Sequence, residues 1–176
     1  MPHARRTAKP PSLAAWIRRA RELGALGARI VRPRSVVCAE WVRMKCEYGC
    51  DGFGSCRTCP PHSPTPERTR RVLDGYRRLL LVHVRHGKAV TPLVVRLERE
   101  LFLAGFHQAF GWGAGPCRLC RTCDFDAPCR HAEQARPAME ACGIDVYSTA
   151  RNAGFPIAVV RTQADPRNYY GLLGID

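Results

Sequence analysis

The sequence predicts a single α+β domain, a small mixed or antiparallel sheet with flanking helices and two cysteine-rich metal-binding loops. Three observations carry this expectation. The chain has 176 residues, enough for one core and too few for two comfortable ones. Hydrophobic residues at 45% and charged residues at 24% match an ordinary folded domain, so the fold does not hang wholly on metal. Helical and strand patterns alternate around what can only be a modest sheet, and no repeat of solenoid length appears.

Residues 1–11 are basic, contain proline and offer nothing apolar to bury, which reads as a flexible tail before a domain at 12–176. Ser12 is an N-cap for a helix over 13–23, where Leu13, Trp16 and Ile17 share a face and Gly24 supplies the stop. The stretches 28–31 and 35–44 are rich in Val, Ile and Trp and predict strands. Thr65 followed by Pro66 opens a helix to about Asp74, ended by Gly75. Residues 78–84 (RLLLVHV) are apolar enough for a central strand. Thr91-Pro92 repeats the cap-and-proline signal, and Leu93, Leu97, Leu101 and Ala104 line a long helix to about Phe110. Gly111, Gly113 and Gly115 break it. Short helices follow at 137–142 and from an Asp145 cap to Ala153, then strands at 157–161 and 169–175.

Ten cysteines in this length need an explanation. No uninterrupted apolar run of signal-peptide length follows the basic start, because Arg18, Arg19 and Arg21 intervene. No apolar run reaches the roughly 18 residues of a membrane span. The expectation is a cytoplasmic protein without a membrane partner, and in a reducing compartment tight cysteine clusters point to metal or redox chemistry.

The sharper group is Cys117, Cys120, Cys123 and Cys129. Three thiols at C-x2-C-x2-C turn inward around one small object, as in bacterial-type ferredoxins holding a 4Fe-4S cluster. A structural zinc site usually takes two thiols from each of two separate knuckles, which leaves a third cysteine here as surplus. Five residues precede Cys129, so it ligates either the same cluster or another. The Gly115-Pro116 stretch can bring backbone N–H groups to the sulfurs. The other group is Cys46, Cys50, Cys56 and Cys59, interleaved with Gly49, Gly52 and Gly54. It reads as a second cluster, with zinc and a Cys56/Cys59 redox pair as alternatives. Phe53 stands where a radical S-adenosylmethionine motif would need its third thiol, which argues against that reaction class. Cys38 and Cys142 have apolar neighbours and read as core residues. His62 and His131 follow cysteine motifs, but ordinary surface roles are expected of them, and His83 reads as a satisfied core histidine. Arg136, Glu140 and Asp145 read as capping and ion-pairing groups.

The runs Val42-Arg43-Met44-Lys45-Cys46, Tyr48-Gly49-Cys50, Cys59-Pro60-Pro61, Gly115-Pro116-Cys117, Cys129-Arg130-His131 and the stretches 135–141 and 143–146 resemble a prokaryotic family of predicted metal-binding proteins, domain of unknown function 2284. The resemblance runs over about 13–176. It implies a cysteine-ligated metal in a cytosolic protein and nothing more specific. Ala138 and Ala132 depart from the residues common at those places, Ser and Pro, without touching a ligand.

The formal charge is +13, and residues 1–45 hold eleven Arg or Lys against Glu22 and Glu40. Two clusters on eight thiolates would offset about four of those charges. The remaining basic face predicts an acidic redox partner, with nucleic acid as the lesser alternative. The functional expectation is electron transfer or redox sensing by one or two 4Fe-4S clusters. The alternatives are an iron–sulfur enzyme with an open three-cysteine site, and a zinc-stabilised structural or nucleic-acid-binding module.

Overall fold

A computed structural model describes residues 11–176, so most of the expected tail lies outside the described residues. A four-stranded antiparallel sheet is covered by helices on both faces, with strand order β1-β2-β4-β3. The strands are β1 (Gly27–Val31), β2 (Leu79–Val84), β3 (Phe110–Trp112) and β4 (Tyr169–Gly174). The register runs Gly27 to Val31 against His83 to Leu79, and Leu79 to Val84 against Gly174 to Tyr169.

Central position explains the unbroken apolar run of β2. Leu80, Val82 and Val84 face one layer, with α1 (Leu13–Glu22) and α4 (Gly87–Leu103). Leu79 and Leu81 face the other, with Leu73 of α3 (Pro66–Asp74), Met139, Cys142, Ile144 and Ala150 of α5 (Val146–Asn152). Both faces being covered, no polar alternation is needed. His83 belongs to the second face: its Nε2 lies 2.8 Å from Asn168 Oδ1 and its ring stacks on Tyr170 at 4.9 Å. The expected caps at Ser12, Thr65 and Asp145 all accept a backbone N–H.

Four local expectations are corrected. Residues 35–44 form no strand. A three-residue 3₁₀ turn at Pro33–Ser35 leads to α2 (Glu40–Gly49), a helix that carries Cys46. Its N-cap, Ala39, supplies no side-chain acceptor. The helix is instead held by tertiary bonds, Arg43 donating to the carbonyls of Ser63 (3.3 Å), Pro64 (2.9 Å) and Pro61 (3.2 Å). The long helix starts at Gly87 and ends at Leu103, with Pro92 inside it. The ring of Pro92 opposes the carbonyl of Lys88, in the first turn, where the helix has least to lose.

The glycines after that helix build β3 as well as ending the helix. A Cβ at Gly111 would overlap Val94 Cγ1, and one at Gly113 would overlap Thr91 Oγ1. These glycines let α4 lie directly on the strand. Finally, residues 137–142 hold only a 3₁₀ turn at Glu140–Cys142, and residues 157–161 form no strand. Val159 and Val160 are exposed there. Among the described residues no helix is long and apolar enough to cross a membrane.

Candidate metal centre

Two loops bring the cysteines together, and backbone pairing anchors the chain beside each of them. The first runs from α2 to α3. Behind it, Ala39 N–H donates to the Gly143 carbonyl and Asp145 N–H to that of Val37, both at 2.8 Å. The second loop spans β3 to the 3₁₀ turn. Its base is a parallel bridge between Gly113 and Ala138, in which Gly113 N–H donates to Pro137 (2.8 Å) and Met139 N–H to Gly113 (3.0 Å). Arg136 secures the same base by a bidentate pair to Glu98 of α4, at 2.7 and 2.6 Å. Glu98 also accepts the Gly111 N–H at 2.9 Å. Arg136 therefore pairs as expected of it, but with a residue the sequence did not single out.

Within the first loop Cys46 lies on α2, Cys50 caps its end, and Cys56 and Cys59 are buried. Cys59 N–H donates to the Cys56 carbonyl at 3.0 Å, and Gly54 N–H to Pro60 at 2.7 Å, folding the chain into a tight coil. Arg57 reaches across to the second loop, donating to the carbonyls of Asp124 (3.2 Å), Phe125 (2.6 Å) and Ala127 (2.8 Å). Phe125 in turn packs against His62, with the rings tilted by 35° and their centroids 4.6 Å apart. The loops also touch at Gly52, where an added Cβ would lie 3.4 Å from both Cys50 Sγ and Pro116 Cβ.

The spatial grouping of thiols differs from the grouping along the chain. Cys56 joins Cys117, Cys120, Cys123 and Cys129 around a cavity of about 130 Å³, with His131 in its wall. Cys46, Cys50 and Cys59 line a neighbouring cavity of about 220 Å³ together with Glu140. The two cavities divide the Cys56-x2-Cys59 turn between them, Cys56 lining the first and Cys59 the second. Cys38 and Cys142 line neither, and Cys142 is fully buried in the core. Among the described residues no three His, Cys, Asp or Glu side chains converge closely enough to hold a single ion. The thiols surround two volumes.

The profile of one family, described as predicted metal-binding protein (DUF2284), matches residues 29–175. The chain belongs to that family. No curated protein and no solved structure matches it.

The donor set of this DUF2284 member fits a thiophilic metal. Eight thiols are soft ligands of the kind that iron–sulfur clusters and zinc take, with one imidazole and one harder carboxylate beside them. Their acidities carry the same message. Burial pushes the Cys59 thiol up to about 12, helped by its bond to Cys56 and by the charges that Cys56, Cys50 and Cys46 would carry. Burial likewise raises Cys46, as do Cys50 and Glu140. Cys117 is raised by burial and by Cys56, Cys129 and Cys120, against a lowering contact from the Leu119 backbone. Thiolates this close repel, and a metal cation removes that obstacle.

Cys56 is the exception. Burial works against its thiolate, but the Thr58 hydroxyl, the Cys117 and Thr58 backbone groups and the Cys59 thiol all donate to it, bringing it below the usual thiol range. The Gly-Pro approach to Cys117 thus delivers a backbone donor to a sulfur, although to Cys56 of the other loop. Glu140 is open to water within its cavity yet surrounded by protein, and that burial pushes its carboxyl upward. Sequence reasoning missed Arg57 and Thr58, whose only signal was their place between two cysteines.

Proposed function

We propose that this protein holds a 4Fe-4S cluster through Cys117, Cys120 and Cys123, with Cys129 or Cys56 as the fourth ligand, and uses it for electron transfer or redox sensing. Five thiols around one cavity, three of them from a C-x2-C-x2-C run, are the observation that carries this reading. A tetrahedral zinc ion draws its sulfurs to about 2.3 Å from one point. Sulfurs arranged around a volume suit a larger object. Such a cluster would supply one-electron chemistry. The chain's own contribution is to hold the sulfurs, give backbone and hydroxyl donors to Cys56, and brace the two loops through Arg57.

Cys46, Cys50 and Cys59 would hold a second cluster or a zinc ion. Three thiols beside the Glu140 carboxylate also favour one further reading, an enzyme whose cluster keeps an open iron there. An EPR signal that shifts when a small anion is added would support the open site.

An acidic protein is the partner proposed for either cluster reading, because Arg118, Arg121 and Arg130 are exposed on the second loop itself. The basic face of α1 is smaller than its arginine count, since Arg19 is paired with Glu100 and Glu22. Arg29 is also engaged, donating to the Ala153 carbonyl at 2.6 Å. Duplex DNA of random sequence should bind no more tightly than the usual non-specific range of about 10⁻⁴ to 10⁻⁶ M at physiological salt. Tighter binding would favour the nucleic-acid alternative.

Anaerobic purification with iron, sulfide and zinc analysis tests the main proposal. About four irons per chain means one cubane and about eight means two, with brown colour from thiolate-to-iron charge transfer. A colourless protein carrying stoichiometric zinc alone overturns it.

A further inference from the structure

We infer that a third cavity, separate from the two thiol-lined ones, binds a small amphipathic organic anion against the outer side of the second cysteine loop. This cavity of about 500 Å³ lies between α4 and the chain around Gly115 to Leu119, closed on its third side by residues 134–136. Its volume falls inside the range of about 300 to 1,000 Å³ typical of small-molecule sites. Pro92, Val95 and Leu119 supply apolar walls.

The charge in it is of one sign. Lys88, Arg99 and Arg118 line the cavity, and among the described residues none of them has an ion-pair or hydrogen-bond partner, while no Asp or Glu lines it. Two further arginines there, Arg96 and Arg136, are already neutralised by Glu100 and Glu98. Three unpaired cations around one partly apolar hollow give it a positive potential, which draws a ligand anion. Guanidinium groups favour carboxylate, sulfonate or phosphate oxygens, which they meet with two parallel donors. The apolar walls require the rest of the ligand to be greasy, since a bare inorganic ion would leave them wet.

Position adds a functional sense. Cys117, one of the thiols proposed to hold the cluster, is in the wall of this cavity as well as in that of the five-thiol cavity. A ligand seated there lies on the other side of the same residue. The inference stands whichever metal the thiols hold, because its test reads binding and not metal chemistry.

Equilibrium dialysis of the full-length, metal-loaded protein against anilinonaphthalene sulfonate supplies that test. Uncharged phenylnaphthylamine and inorganic phosphate serve as comparison probes. The expected result is one equivalent of the sulfonate bound, with each comparison probe at least about tenfold weaker. Arg99→Glu together with Arg118→Glu, both on exposed side chains, should weaken the sulfonate at least about tenfold, and Arg34→Glu, outside the cavity, should not. Val95→Trp should abolish binding by filling the space. Equal binding of the neutral probe, indifference to the paired charge reversal, or no saturable binding overturns the inference. Circular dichroism and metal content show whether each variant remains folded, and the exposed arginine pair keeps the test decisive if Val95→Trp does not fold.

Discussion

Arg57 joins the two cysteine loops through three carbonyls on the far side, so its loss should be felt by both. Charged hydrogen bonds at a partly exposed site contribute modestly, and Arg57→Ala should destabilise the metal-loaded protein by about 1–2 kcal/mol. Metal should also leave faster to a chelator. Arg57→Lys should not restore the wild-type rate, because a single ammonium cannot reach three carbonyls as a fork does. An unchanged release rate in Arg57→Ala would remove Arg57 from the site. Among the thiols, Cys120→Ser should lower metal content and Cys38→Ser should not, read by metal analysis per chain; equal losses would erase the distinction between cavity and core cysteines. Glu100 offers a test away from the metal. Its bonds from Arg19, and then Arg96, hold its carboxyl at about 2 against the ordinary 4.5, in spite of opposing burial. A depressed carboxylate stabilises the fold fully above 4.5 and loses that contribution as pH falls toward 2. Denaturant titrations of wild type and Glu100→Gln should therefore differ most at neutral pH and converge over that acid window. Acid effects on the thiols are common to both proteins and cancel in the difference.

At the level of elements, close approach of α4 to β3 is the feature most open to a steric test. Gly111→Ala places a methyl on Val94 and should cost about 1–3 kcal/mol by overpacking, visible as a lowered thermal midpoint. Val94→Ala in the same chain should recover part of it. An undiminished midpoint in Gly111→Ala would mean that helix and strand can separate freely. The same contact explains what the sequence concealed. Elements with a local cap or an unbroken apolar run were legible: α1, α3, α5, β2 and β4 begin or end within a residue or two of expectation. The misreadings share a cause, because their determinants lie elsewhere in the chain. Helix α2 has an uncapped start and β-branched residues near it, and takes its stability from Arg43 and the loop it binds. Strand β3 is three residues flanked and interrupted by glycine, a pattern that marks a break unless one knows that a helix crosses there. The thiol site was legible in its residues and opaque in its partition. Spacing along a chain reports which sulfurs are neighbours in one loop, whereas Cys56 is set by how two loops meet, and only the fold determines that.

On the scale of the whole molecule, the apolar sheet and the thiol loops are distinct sources of order. The strands are buried between two helical layers whose residues form continuous cores, and neither core includes a cysteine of the two thiol cavities. Removing metal should accordingly raise amide hydrogen exchange in residues 50–65 and 114–137 while β2 and β4 stay protected. Uniform loss of protection would instead make metal a condition of the entire fold. A consequence follows from the bridge between Gly113 and Ala138. Because the chain passes Gly113 and comes back alongside it at Ala138 in the same direction, everything between those residues is a crossover whose two ends are locked side by side next to β3. A two-residue turn could not rejoin those ends, because parallel neighbours need a crossover of about a dozen residues or more, so any shortened version of this segment must keep that reach to leave the strand order intact.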